Sequence, residues 1–304
     1  MSINKIIVIT TIQEPTEATL KFISKKDWHV VVVGDLKTPH DSYRNLDCTY
    51  LMPEDQEKIN KKLSDSLGWN CIQRRNMGFL YSYIEGADIL ATVDDDNIPY
   101  DFWGENLHIN QEIEVDIFDS SNGYFDPLSV TNNSELWHRG YPIELVPTKN
   151  EITHKGTEKR KVLIQADLWD GDPDIDAICG LSKMPEVKFE VEKPFASNQV
   201  SPFNSQNTFL SREVIPFYMM YPNVGRMDDI WASYYVQSHF PKSLIYNKAS
   251  VYQERNVHDI VLDLEKEIIG YRNTFKLLKG DYELEENVQK SFKIYNRSFK
   301  GLLN

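Results

Sequence analysis

Three runs of aliphatic and β-branched residues, at 6–9, 30–33 and 89–93, are apolar at nearly every position rather than at every second one, and helical segments separate them. A strand that is apolar throughout must be covered on both faces, and strands joined through helices run parallel. The alternation therefore points to an α/β fold on a mostly parallel sheet flanked by helices. The first strand is read at 5–12, followed by a helix over 15–26 with Ala18, Leu20, Phe22 and Ile23 as its apolar positions. A strand at 28–34, a short one at 48–52, a charged helix around 54–66 and a longer helix at 73–85 lead to the strand ending at Val93. Open sheets of this kind bind ligands beyond the carboxyl ends of their strands. Those ends here carry Thr10-Thr11-Ile12, Gly34-Asp35 and Asp94-Asp95-Asp96.

From 98 to 202 the pattern loosens into short strands and loops punctuated by prolines. Periodicity returns at 212–221 and in a helix at 228–240. Residues 259–304 read as two amphipathic helices split near Gly280-Asp281, a helical extension on one continuous domain at 1–258.

Several function classes lose their footing. The longest apolar stretches fall far short of the roughly 20 residues of a membrane-spanning helix, and the apolar start runs into Gln13-Glu14-Pro15 without the plan of a signal peptide. Three cysteines, Cys48, Cys71 and Cys179, are odd in number and show no C-x-x-C spacing, which argues against a disulfide framework or structural zinc and for a reducing compartment. A formal charge of −13 argues against nucleic-acid binding, which is driven by Lys and Arg. The G-x-S-x-G, H-E-x-x-H, phosphate-loop and G-x-G-x-x-G signatures are all absent.

What remains is a small set of polar clusters. Asp94-Asp95-Asp96 places three carboxylates directly after an apolar strand, where they repel one another unless a cation or hydrogen-bond donors offset them. A hard divalent cation held by one or two of them and by substrate phosphate oxygens fits, and a solvated helix-capping turn is the alternative. Arg74-Arg75 opens the preceding helix, and one of the two can reach the same crevice to meet phosphate. Asp228-Asp229 starts another helix, either as a cap or as a base for an attacking hydroxyl. The 137–142 segment, with Arg139, reads as a turn, the five aspartates at 167–176 as an acidic substrate loop rather than a calcium loop, and His258 as a residue following the last sheet-like segment.

The ordered series Val8-Ile9-Thr10-Thr11-Ile12, Val33-Gly34-Asp35, Thr92-Val93-Asp94-Asp95-Asp96-Asn97, Arg139-Gly140-Tyr141-Pro142, 205–210 and 225–231 resembles the nucleotide-sugar glycosyltransferases of the GT-A fold. Within them it is most similar to the STELLO-type group and, more distantly, to the reversibly glycosylated polypeptides, which are UDP-arabinopyranose mutases. The resemblance implies a nucleotide-binding half at 1–97 and an acceptor-side half at 98–258. It implies a donor pocket built from Thr11, Asp35, Arg74, Arg75, Asp94 and Asp95, and Mn²⁺ or Mg²⁺ on Asp96, Asp94 and His258. One of Asp228 and Asp229 would be the general base, and Arg139 matches the arginine that the mutases glycosylate. The expected activity is metal-dependent transfer of a sugar from a UDP-sugar to a glycan or other hydroxyl acceptor in polysaccharide or glycoconjugate synthesis. The alternatives are a pyranose/furanose mutase and a non-catalytic sugar-nucleotide-binding scaffold. The 167–176 loop and residues 196–202 depart from the mutase pattern. Eukaryotic STELLO-type proteins carry a membrane anchor, and no such segment is read in this sequence, so the expectation here is a free, cytoplasmic catalytic domain, peripheral to a polysaccharide-synthesis machinery, with the C-terminal helices as a surface for a homo-oligomer.

Overall fold

The computed structural model describes residues 3–254 and 259–300. Its first half is the expected alternation: β1 (Lys5–Thr10), α1 (Glu17–Ile23), β2 (His29–Val33), β3 (Thr49–Leu51), α2 (Pro53–Leu67), α3 (Arg75–Ile84) and β4 (Ile89–Val93). The strands pair in parallel in the order β3-β2-β1-β4. Local chemistry sets the helix starts. The Thr16 hydroxyl accepts the Thr19 N–H and caps α1, while Pro53 opens α2, where a missing N–H costs nothing.

The second half continues with β5 (Asn97–Pro99), β6 (Glu112–Ser120), β7 (Ile152–Lys161), β8 (Ile164–Gly171), α4 (Ala177–Lys183), β9 (Phe195–Ala196), β10 (Asn207–Ser211), α5 (Asp228–His239), β11 (Leu244–Gln253), α6 (Ile260–Lys279) and α7 (Glu286–Lys300). Among the described residues these strands extend the same sheet in the order β4-β10-β8-β11-β9-β6-β7, with β5 paired to β11. β10 runs antiparallel between β4 and β8, β8 and β11 run parallel, and β6 and β7 form a long antiparallel ladder. The fold is thus α/β, with a large mixed sheet that is parallel across its first four strands.

The middle of the chain is more regular than its sequence suggests. β7 has Thr153, His154 and Lys155 exposed, so no apolar run marks it, and its regularity comes from pairing with β6. The acidic stretch at 167–176 is not one loop: Asp167 and Asp170 lie inside the buried strand β8, and the turn proper begins at Asp172. The periodicity at 212–221 does not make an α-helix either, since only a short 3₁₀ turn forms there, at Ile215–Phe217, with Pro216 inside it.

Side chains of β1 alternate between two buried layers. Ile6 and Val8 join the layer under α2, α3, α5 and α7, and Ile7 and Ile9 join a layer with Trp28, Trp103 and Phe209. This two-sided burial is the reason why the strand is apolar throughout. α7 docks on the first layer through Val288, Tyr295 and Phe299, each worth roughly 1.5–3 kcal/mol when fully buried. α2 is interrupted at Asn60, whose amide donates to Ser298 Oγ at 2.8 Å. α6 begins at Asp259, whose carboxylate accepts the Val261 and Leu262 N–H groups, and ends at Gly280. No helix among the described residues is long and apolar enough to cross a membrane, and the three cysteines are free thiols.

Candidate active site

The carboxyl ends of β1 and β4, the turn after β8, the loop before β10 and the start of α5 converge on a cavity of about 710 Å³. Asp94, Asp95 and Asp96 line it on one side, Asp174, Asp228 and Asp229 on the other. An adjoining cavity of about 300 Å³ shares Thr10, Cys71, Ile72 and Asp95, and extends over Thr11, Ile12 and Asp35.

The three strand-end aspartates have different surroundings. Asp94 Oδ1 accepts a 2.6 Å bond from Arg75 Nη2. Asp95 Oδ2 accepts the Thr11 hydroxyl at 2.5 Å, and burial pushes its carboxyl above the usual range. Asp96 lines the cavity, and its carbonyl accepts the Glu254 N–H at 3.1 Å. Asp35 is buried, and its two carboxylate oxygens accept the N–H groups of Leu36 and Cys71, which fixes the base of the smaller cavity.

The two adjacent arginines part company. Arg75 is fully buried and reaches under the cavity, donating to Thr10 Oγ1, to Ser205 and to Asp94. It ties β1 and the loop before β10 to the aspartates after β4. Arg74 does not line the cavity. Its guanidinium stacks 3.7 Å from the Trp69 ring centroid and donates to Gln56, Ser64 and Gly68, and burial among neutral groups pulls it down to about 10.

Across the cavity a buried ion cluster holds the second acidic pair. Arg139 Nε and Nη2 meet Asp174 at 2.7 and 2.9 Å, and Nη1 and Nη2 meet Asp229 at 3.0 and 3.2 Å. Both Asp229 oxygens are engaged, since the Ser205 N–H and hydroxyl also donate to Oδ2. Burial alone would raise Asp174 and Asp229, but the Arg139 guanidinium outweighs it and holds both below the usual carboxylate range. Asp228 differs from its neighbour. Its Oδ2 accepts from Gln73 Nε2 at 2.8 Å, and burial together with the Asp229 charge pushes it up to about 7.

The sequence gives weaker notice of the residues that assemble this cluster. Asp174 stands among five aspartates, and nothing in the spacing singles it out. Ser205 and Arg226 lie within the ordered motifs but show their partners only in the fold. Arg226 joins Asp263 and Glu267 of α6, each at 2.9 Å, and approaches Asp174 at 3.7 Å. Gly225 and Gly270 permit the close seat of α6. A Cβ at Gly225, where φ is +60°, would stand 2.0 Å from the Lys266 carbonyl oxygen, and one at Gly270 would stand 2.5 Å from Met227 Sδ. His258 lies outside the described residues. No group of three or more His, Cys, Asp and Glu side chains placed to hold a metal occurs among the described residues.

No family model matches the chain. It is 22% identical to probable glycosyltransferase STELLO2 of Arabidopsis thaliana over 306 residues, covering 88% of this chain and 40% of that protein. It is also 22% identical to probable glycosyltransferase STELLO1 over 309 residues, covering 88% and 39%. The chain thus spans about two fifths of these relatives' length. Among solved structures, the crystal structure of A197 from STIV aligns over 84% of this chain and 87% of that one at 13% identity, with a TM-score of 0.34, too low to bear on the argument. By sequence, the protein is a distant homologue of the STELLO proteins.

Proposed function

We propose that the protein is a glycosyltransferase that uses a nucleoside diphosphate sugar, a UDP-sugar in the first instance, and a hydroxyl acceptor. The observation that carries this reading is one cavity at the carboxyl ends of the parallel strands, lined by the strand-end aspartates Asp94–Asp96 and by the helix-start pair Asp228-Asp229. The distant homology to probable glycosyltransferases supports it. On the strand-end wall the smaller cavity suits a nucleoside, leaving the diphosphate beside Asp94–Asp96. On the far wall Asp228 is a buried carboxyl with no direct cation partner among the described residues, hydrogen-bonded to Gln73 and raised to about 7, as a general base requires, whereas Asp229 is neutralised by Arg139. In this scheme the acceptor hydroxyl gives its proton to Asp228 as its oxygen bonds to the anomeric carbon. The bond from that carbon to the diphosphate oxygen breaks at the same time.

The donor set on the strand-end wall is all oxygen, which suits a hard divalent cation such as Mn²⁺ or Mg²⁺. The protein's share would be one or two carboxylates, Asp96 with Asp94, and the diphosphate would complete the coordination. When bound, the metal would neutralise charge developing on the leaving diphosphate. Arg139 favours no mutase reading: its guanidinium is occupied by two carboxylates and the Arg226 carbonyl, which suits holding Asp229 rather than carrying a sugar. The test is a thermal-shift screen of nucleoside diphosphates with and without Mn²⁺. Saturation at 100 times Kd stabilises the folded state by about 2.7 kcal/mol. The expected result is a shift that needs both metal and one nucleotide and is lost in Asp96→Ala; no shift with any nucleotide would overturn the proposal.

A further inference from the structure

We infer that Lys266, on the helix that follows the sheet, is the protein's own cationic ligand for the donor diphosphate. The inference rests on the donor site proposed above and adds a residue from α6 to it. It begins with charge. A nucleoside diphosphate carries negative charge into a cavity already lined by the carboxylates of Asp94, Asp95, Asp96, Asp174, Asp228 and Asp229. Beside the metal of the proposed donor site, anion binding there is favoured by a positive group of the protein that these carboxylates have not already taken.

The three arginines of the cavity are committed. Arg75 is bonded to Asp94, Arg139 is clamped between Asp174 and Asp229, and Arg226 is held by Asp263 and Glu267. Each would have to abandon a buried or half-buried carboxylate to reach a phosphate, leaving that charge uncompensated. Lys266 also lines the cavity, and among the described residues no carboxylate pairs with it. It is exposed.

Its placement is not left to a mobile side chain alone. The Lys266 carbonyl packs so closely on Gly225 that no Cβ fits between them, and Arg226 ties the same turn to α6 on either side of Lys266, at Asp263 and Glu267. The backbone that carries Lys266 is therefore fixed to the turn that leads into Asp228 and Asp229. A long, flexible cation on a rigid base at the mouth of an acidic cavity is suited to meet a phosphate without disturbing the ion cluster beneath.

The experiment compares UDP with uridine by calorimetric titration at constant Mn²⁺, using the full chain, Lys266→Gln, Lys266→Arg and, as a distant exposed control, Lys293→Gln. The expected result is that Lys266→Gln weakens UDP by about tenfold, the scale of one charge-assisted hydrogen bond, and leaves uridine unchanged. Lys266→Arg should recover most of the loss, and Lys293→Gln should lose none. If Lys266→Gln binds UDP within twofold of the wild type, this inference is wrong and the donor site stands. If the wild type binds neither UDP nor uridine, the donor site itself fails and the inference goes with it.

Discussion

Asp228→Asn should make the protein more stable at alkaline pH and far less active. Asn keeps the size of the side chain and an oxygen for the Gln73 amide, which now lies 2.8 Å from Asp228 Oδ2, but it cannot ionise. In the folded protein, burial and the neighbouring Asp229 charge raise the Asp228 carboxyl from 3.8 to about 7. At 1.36 kcal/mol per pH unit, that difference corresponds to about 4 kcal/mol. Because the folded value lies above the unfolded one, the favourable contribution is complete below about pH 4 and is lost as the pH rises through about 7. Above that point the wild type bears the whole cost of an ionised buried carboxyl, and the variant bears none. Two pH units of that range remain above pH 5, so the stability gap in favour of Asp228→Asn should widen by about 3 kcal/mol between pH 5 and pH 8. Urea unfolding at the two pH values measures it. Comparing variant with wild type cancels Asp167 and Asp176, which burial also raises to about 7. Donor turnover should fall by about 10²–10⁴-fold, the usual worth of a general base. A gap that does not change with pH, or a variant less stable at pH 8, would refute the reasoning about Asp228.

Arg139→Leu leaves Asp174 and Asp229 buried without their counterion and should lower stability by about 3–5 kcal/mol near neutral pH. The loss should shrink as the pH falls through the acid range, because both carboxyls are held low by that guanidinium and protonate once it is gone; urea unfolding at pH 7 and pH 4 checks both the size and the sign. Arg74→Met and Arg75→Met should separate cleanly. The first leaves buried acceptors on Gln56 and Ser64 unmet and costs about 1–3 kcal/mol of stability with nucleotide affinity within twofold. The second also costs stability, since it leaves Thr10, Ser205 and Asp94 without their donor, and because it removes the group that holds Asp94 in place it should in addition weaken nucleotide binding by more than about tenfold; the reverse pattern in titrations would mean that the two roles are exchanged.

How far the sequence reaches into this structure depends on whether the signal is local. β1, β2 and β4 are legible because burial on both faces demands apolar residues at every position, α6 because its caps and periodicity lie within its own segment, and α7 because of its periodicity. β7 is not, since exposed Thr153, His154 and Lys155 look like any solvated segment until β6 supplies the hydrogen-bond partners. The same distinction holds at the cavity. Asp94–Asp96 stand out as a local run of charge, and Asp228-Asp229 as a pair at a helix start. Which of the pair is tied into the ion cluster is decided by Arg139 and Ser205, 90 and 24 residues away from Asp229. Arg74 and Arg75 are adjacent in the chain and equally basic, and only the helical turn between them sends one guanidinium to Trp69 and the other to Asp94.

The bond between Asn60 and Ser298 has a consequence for the order in which the molecule is made. It joins positions 238 residues apart, and beside it Tyr83 of the early region meets Phe299 edge to face at a centroid separation of 4.9 Å. The parallel strands β1–β4 are synthesised well before α7, so the face of α2 and α3 that α7 covers stays open until the ribosome has produced that helix. That part of the sheet is therefore made long before it is sealed. During that interval its apolar surface is what a chaperone, or a second unfinished chain, would encounter.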